Sequence, residues 1–379
     1  MSKPGDMKYN WKHHSHRFQV EKQKRRAEKR LRACRRKKRK GSSLVLRSNT
    51  TIHTTPPKVL NRTQQIARLF PGHKQIEAPA TLSLLSNESV TLEFLRKLQE
   101  CFNAQKKVAV LLDDVDSLST DGILALLSNM VQFKAARIGF NGTRPRDVST
   151  AFKLESSGFF KLLYGPAMRN QDIYSFKKID SFLYTHGQKT VEAGLADELV
   201  KYASEVVWGE PRRCPGIQTT LVELMHNTYD HAGDYKGEKH WWISVEHNEQ
   251  AHEATFSFMD FGVGIFRSLA NKKQGEPLYG ALDYIIQHFP LITTEADRLQ
   301  LILEGKVRLT QFNEYYRGKG LRNIYLKHHR NQISDLSIIS NYASFKADKD
   351  DYHSIKNEFI GTFISFKMNS NTYNLQWEI

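Results

Sequence analysis

The chain has 379 residues, 40% of them hydrophobic and 25% charged, with a formal net charge of +16 at pH 7. Its length accommodates two or three domains with a sizeable core. No uncharged apolar run approaches the ~20 residues a membrane helix needs, which excludes a membrane-spanning chain of the helical kind.

Residues 1–60 hold 19 Lys or Arg against 3 Asp or Glu, and the remainder holds 37 of each sign, so the excess positive charge lies entirely in one arm. The arm's centre, "EKQKRRAEKRLRACRRKKRK", is rich in helix formers and nearly devoid of apolar residues. Mutual repulsion predicts disorder there in the absence of a partner. Residues 22–40 read as an electrostatic clamp for a polyanion such as nucleic acid. With no aromatics between residues 19 and 59, binding there is expected to be blind to base sequence. The alternative is a merely solvated tail. The three cysteines, Cys34, Cys101 and Cys214, fit no zinc-site spacing, and "MSKPGDMKYN" reads as no secretory signal. A reduced, soluble, cytoplasmic protein is the expectation.

Residues 75–185 read as a small α/β domain. "KKVAVLLDDV" predicts a buried strand, "DGILALLSNMVQF" an amphipathic helix, "ARIGF" a second strand and "RDVSTAFKLESSGFFKLL" a second helix. That alternation predicts a partly parallel sheet.

Residues 187–379 read as a further α/β domain. Helices are expected over "TVEAGLADELVKYASEVV" and "CPGIQTTLVELMHNTYDHAG", then a hairpin from "KHWWISVEHN" and "EATFSFMDF". Two helical patterns follow, around "LYGALDYIIQHF" and "EADRLQLIL". "GKGLRNIYLKHH" is a Gly-rich turn into a helix, and "DLSIIS" and "GTFISFKM" read as closing strands.

Three polar features fall in order on this second half. Glu223 and Asn227 are four apart on a helix, so they share a face while Leu221 and Leu224 turn to the core. Asp260 follows a strand-like run and precedes Gly262 and Gly264. Gly318, Lys319 and Gly320 open a helix whose N-terminal amides suit an anion.

In this order the motifs resemble the ATP-binding domain of the GHKL superfamily, which includes gyrase, chaperone ATPases, sensor histidine kinases and mismatch-repair ATPases. "ELMHNTYDHAG", "DFGVGI", "GKGL" and "GTFISF", the last with Gly361 and Thr362, are similar to the family's four motifs across residues 190–370. The resemblance implies a two-layer α/β (α+β) sandwich of the Bergerat type that binds ATP with Mg2+. It assigns the adenine amine to Asp260, aided by Thr362, with Gly262 and Gly264 giving the base room. Guanine would present a carbonyl to that carboxylate, a mismatch of ~1–3 kcal/mol. Asn227 is the implied magnesium ligand and Glu223 the implied catalytic residue, orienting or deprotonating water. Gly318, Lys319 and Gly320 are assigned to the phosphates. The long segment before Gly318 corresponds to the family's lid.

The middle region resembles a STAS domain, the fold of anti-sigma-factor antagonists. That family's phosphorylatable Ser is replaced here by Asp121 before Gly122, so a phosphoswitch is not expected. Ser119 and Thr120 are more ordinary as helix caps. Adjacency suggests that this region docks on the ATP domain and senses its nucleotide. The expected function is slow ATP hydrolysis driving a conformational switch. The alternatives are an anti-sigma-type Ser/Thr kinase and a nucleic-acid-binding scaffold with a degenerate ATP site. Many GHKL proteins dimerise, and the sequence leaves homodimerisation and the protein partner open.

Overall fold

The computed structural model describes residues 68–164, 181–186, 191–231, 241–274, 279–307 and 320–372. The chain divides into two units, Met1–Arg62 and Thr63–Ile379, and everything described belongs to the second. The basic arm, with its polyanion expectation, lies outside the described residues, as do Gly318 and Lys319.

The first part is a mixed α/β layer. Strands β1 (Lys74–Glu77), β3 (Val108–Leu111) and β5 (Phe140–Gly142) form a parallel sheet in the order β1-β3-β5. A two-residue parallel pair, β2 (Thr81–Leu82) with β4 (Ser117–Leu118), sits beside it. Every residue of β3 is buried, as a parallel strand covered on both faces requires. Helices α1 (Glu88–Asn103) and α2 (Thr120–Ala135) pack together on the apolar positions Leu92, Leu95 and Leu98 of α1 and Ile123, Leu124 and Leu127 of α2.

Two local expectations shift. The strand read from "ARIGF" begins only at Phe140, because α2 runs to Ala135 and Arg137 turns the chain at φ 58°. The single helix read from "RDVSTAFKLESSGFFKLL" is two, α3 (Val148–Ser156) and α4 (Phe159–Tyr164). Gly158 breaks it at φ +81°, a left-handed conformation that suits a residue without a side chain.

The second part centres on a five-stranded antiparallel sheet of β6 (Ser181–His186), β7 (Trp241–Asn248), β8 (Glu253–Asp260), β9 (Ser334–Lys346) and β10 (Asp351–Asn369). Its order is β6-β7-β8-β10-β9. Alternation along each strand sends side chains to two faces. Trp241, Ile243, Val245, Phe256, Phe258, Ile338, Ile364 and Phe366 enter one apolar core. Above it lie α5 (Ala193–Trp208), α6 (Pro215–His231), α9 (Glu295–Leu303) and α10 (Gly320–His329). The short α7 (Ile265–Ala270) and α8 (Ala281–His288) come between β8 and α9.

The opposite face is also covered. Trp242, Met259, Ile339 and Phe363 join the core of α1 and α2, so the first part is packed against the back of the sheet. Polar contacts tie the same boundary. Glu88 accepts a hydrogen bond from Ser344 at 2.7 Å and pairs with His353 at 2.9 Å. Lys346 donates to the Leu85 carbonyl, and Lys153 pairs with Glu246 at 2.8 Å. The docking of one region on the other is thus a property of the fold. No described helix is long and apolar enough to cross a membrane.

Candidate functional site

Asp260 ends β8, and its place in the sheet follows from register. It pairs with Trp241 on one side and Thr362 on the other, and Thr362 pairs in turn with Ser340. Trp241, Asp260, Thr362 and Ser340 therefore form one cross-strand row. The row shares the parity of Phe256, Phe258 and Ile364, which places the Asp260 carboxylate on the face covered by α5 and α6.

Asp260 is 8% exposed. Its Oδ1 accepts from the Gly262 amide at 2.8 Å, a short loop closing back on the acid. Burial pushes its pKa up to about 6, against the opposing hydrogen bonds of Gly262 and Thr362. Among the described residues its stabilising groups are the neutral donors Gly262 and Thr362, so ionisation remains costly.

The loop after Asp260 is held by two residues that the sequence motifs do not single out. Ser340 Oγ accepts from the Ile265 amide at 2.9 Å and donates to the Gly361 carbonyl at 2.8 Å. The Asn341 side chain accepts from the Phe266 amide at 3.0 Å and donates to the Val263 carbonyl at 2.9 Å. Asn341 sits at φ 52°, and this kink lets Ala343 and Phe345 return to the helix-covered core. Gly264 adopts φ +80°, and a β-carbon there would stand 2.4 Å from the Asn341 side chain. Gly361, at φ +107°, lies against the Asp260 backbone.

Glu223 and Asn227 lie on α6, whose Ile217, Leu221, Leu224 and Met225 are buried in the helix-covered core. The polar pair turns toward α10. A β-carbon on Gly320, the first residue of α10, would come 3.2 Å from the Asn227 amide, so glycine permits a close approach of the two helices. Glu223 Oε1 accepts from Asn323 Nδ2 at 3.4 Å, and Oε2 faces Lys327 Nζ at 3.6 Å. Burial pushes the Glu223 pKa up, with the Lys327 ammonium and Asn323 opposing it. Burial pushes Lys327 down, with Glu223 opposing that.

The structure thus gathers Asp260, Gly262, Gly264 and Thr362 at one end of the sheet, and Glu223, Asn227 and Gly320 at the α6–α10 contact. Both groups lie on the same face of the sheet. Sequence reasoning did not single out Asn323 and Lys327, although their four-residue step on α10 is a signal that could have found them. Ser340 and Asn341 had no comparable signal. Among the described residues no group of three or more His, Cys, Asp or Glu side chains is arranged to hold a metal ion.

Asp121, which the sequence resemblance set in place of a phosphorylatable Ser, is buried. Its Oδ2 accepts from Ser83 Oγ at 3.1 Å and from the Leu84 and Leu85 amides, fastening the turn between β2 and α1. Ser119 is the N-cap of α2, accepting from the Gly122 amide at 3.3 Å. Thr120, the first residue of α2, is 2% exposed because the start of the helix is packed into the fold. No protein-family model matches the chain, and no curated protein matches it significantly.

Proposed function

We propose that this chain binds ATP with Mg2+ between the Asp260 row and the α6–α10 contact, and hydrolyses it slowly as a conformational switch of the GHKL type. The observation that carries this reading is the Asp260 carboxylate. It is buried on the helix-covered face, in register with Thr362, and among the described residues it is stabilised by neutral donors alone. A ligand amine placed against it would satisfy an acceptor that is otherwise expensive to bury. The adenine exocyclic amine has that chemistry.

The remaining residues fit the group. Asn227, beside the glycine that opens α10, offers a neutral oxygen suited to magnesium, which keeps most of its waters and takes further ligands from phosphate. Bound magnesium supplies charge neutralisation to the phosphates. Gly320, the described member of the Gly-rich motif assigned to the phosphates, lies beside Asn227. Glu223, one helical turn before Asn227, is suited to orienting an attacking water. The five-stranded sheet with helices on the Asp260 face supports a Bergerat-type layer. The parallel β1-β3-β5 sheet supports a STAS-like module, in which Asp121 serves as a structural clamp.

Equilibrium binding of ATP and GTP to the wild-type chain and to Asp260→Asn tests the site. ATP should bind in preference, and the variant should lose at least about tenfold in ATP affinity. Equal binding to both chains would sink the reading. Following the label of γ-labelled ATP, alone and with cell extract, separates free phosphate release from transfer to a protein. For the arm, polyanion affinity should fall with log salt at a slope of about −7 if ~8 phosphates are neutralised on duplex DNA.

A further inference from the structure

The α6–α10 contact does more than bring Asn227 beside Gly320. The two helices run antiparallel along it: Asn227 meets the first residue of α10, while Glu223 meets Asn323 and Lys327 further along. Both oxygens of the Glu223 carboxylate are therefore addressed from one helix. Oε1 receives the directional hydrogen bond of an amide, and Oε2 faces an ammonium at 3.6 Å. Oε2 and Lys327 Nζ are buried and lack a hydrogen-bond partner among the described residues, so their attraction is Coulombic.

We propose that Lys327, assisted by Asn323, is the positioning residue for Glu223, fixing its carboxylate relative to the N-terminus of α10. What Glu223 then does rests on the nucleotide reading above; the pairing itself does not. The division of labour follows from the two donors. A lysine ammonium is a point charge on a flexible stem, which holds a carboxylate in place without dictating its angle. The Asn323 amide supplies the angle. A carboxylate that activates water must be both ionised and aimed. Because α10 begins at Gly320, beside Asn227, engagement of phosphate at its first residue is mechanically joined to the orientation of Glu223.

The test uses the full-length chain carrying Lys327→Met or Lys327→Arg, each in the wild-type and Glu223→Gln backgrounds. Turnover and equilibrium binding of a fluorescent ATP analogue are read separately. Lys327→Met should lower kcat roughly 10- to 100-fold while KM and nucleotide Kd move less than about twofold. Lys327→Arg should restore most of the rate, and in Glu223→Gln the methionine change should add nothing. Urea midpoints provide a readout independent of turnover: the shifts from Glu223→Gln and Lys327→Met should be non-additive, the double variant losing less than their sum. Faster turnover in Lys327→Met, an equal rate loss in both backgrounds, or additive midpoints each overturns the proposal. If Lys327→Met does not fold, Lys327→Gln takes its place under the same criteria. Should the wild-type chain bind no ATP, the nucleotide reading fails, and the urea cycle alone then decides whether Lys327 holds Glu223.

Discussion

The β-carbon that Gly361 lacks would stand 2.0 Å from the carbonyl oxygen of Asp260. Two strands approach here so closely that neither can yield, because the obstructing atom belongs to backbone. At Gly264 the corresponding obstruction is the Asn341 side chain at 2.4 Å, which has some latitude to move. Both glycines also occupy positive φ, a conformation strained for other residues. Gly361→Ala should therefore cost more than about 4 kcal/mol or prevent folding, and Gly264→Ala about 2–3 kcal/mol. Urea denaturation of the two variants checks the ranking; a Gly361→Ala chain as stable as wild type would contradict the close approach.

Asp260 carries a stability cost whose sign can be worked out. Its folded pKa, about 6, lies above the ordinary aspartate value of 3.8, so the native state prefers the neutral acid. The cost is fully present above pH 6 and disappears as pH falls below about 4. Its size is on the order of 3 kcal/mol. Asp260→Asn keeps an oxygen for the Gly262 amide but no charge. At pH 7.5 that variant should be more stable than wild type in urea, and the gap should close by pH 4. A constant gap across this range would show that the carboxylate is not the source.

The same titration governs the proposed ligand. An ionised Asp260 accepts from an amine, whereas the protonated acid presents a donor. ATP affinity should weaken as pH drops through about 6, and the preference for ATP over GTP should shrink with it. Equilibrium dialysis at pH 7.5 and pH 5.2 measures both nucleotides. Unchanged discrimination at the lower pH would remove Asp260 from base recognition.

Asp121 makes a contrasting prediction. Three donors from Ser83, Leu84 and Leu85 converge on one of its oxygens. Asp121→Ala leaves those donors unsatisfied and should cost about 2–4 kcal/mol, read from thermal or urea unfolding. Asp121→Ser should be a poor kinase substrate, because the position is buried. Efficient phosphorylation of the folded variant would restore the phosphoswitch idea.

The alternation in "WWISVEHN" and "EATFSFMD" is enough to read β7 and β8, and the apolar spacing in "GIQTTLVELM" is enough to read α6. These elements follow from local periodicity, and the structure contains them. The grouping of Glu223 with Asn227, and of Asp260 with its glycines, is local too. What local pattern does not carry is the partner of each group. Ser340 and Asn341 bind amides some 75 residues earlier, an association created only when β9 takes its place beside β10. Likewise, the spacing of Leu92, Leu95 and Leu98 suits a helix, but it does not say that α1 will share a core with Phe363.

Trp242, Met259, Ile339 and Phe363 are covered by helices that come from far earlier in the chain. Anyone trimming this protein near residue 187 to isolate its C-terminal half would strip that cover and leave four large apolar side chains facing water. Such a fragment is expected to clump or to recruit a stand-in for its missing half. Any activity lost on truncation would then speak first of an uncovered back, and only afterwards of chemistry.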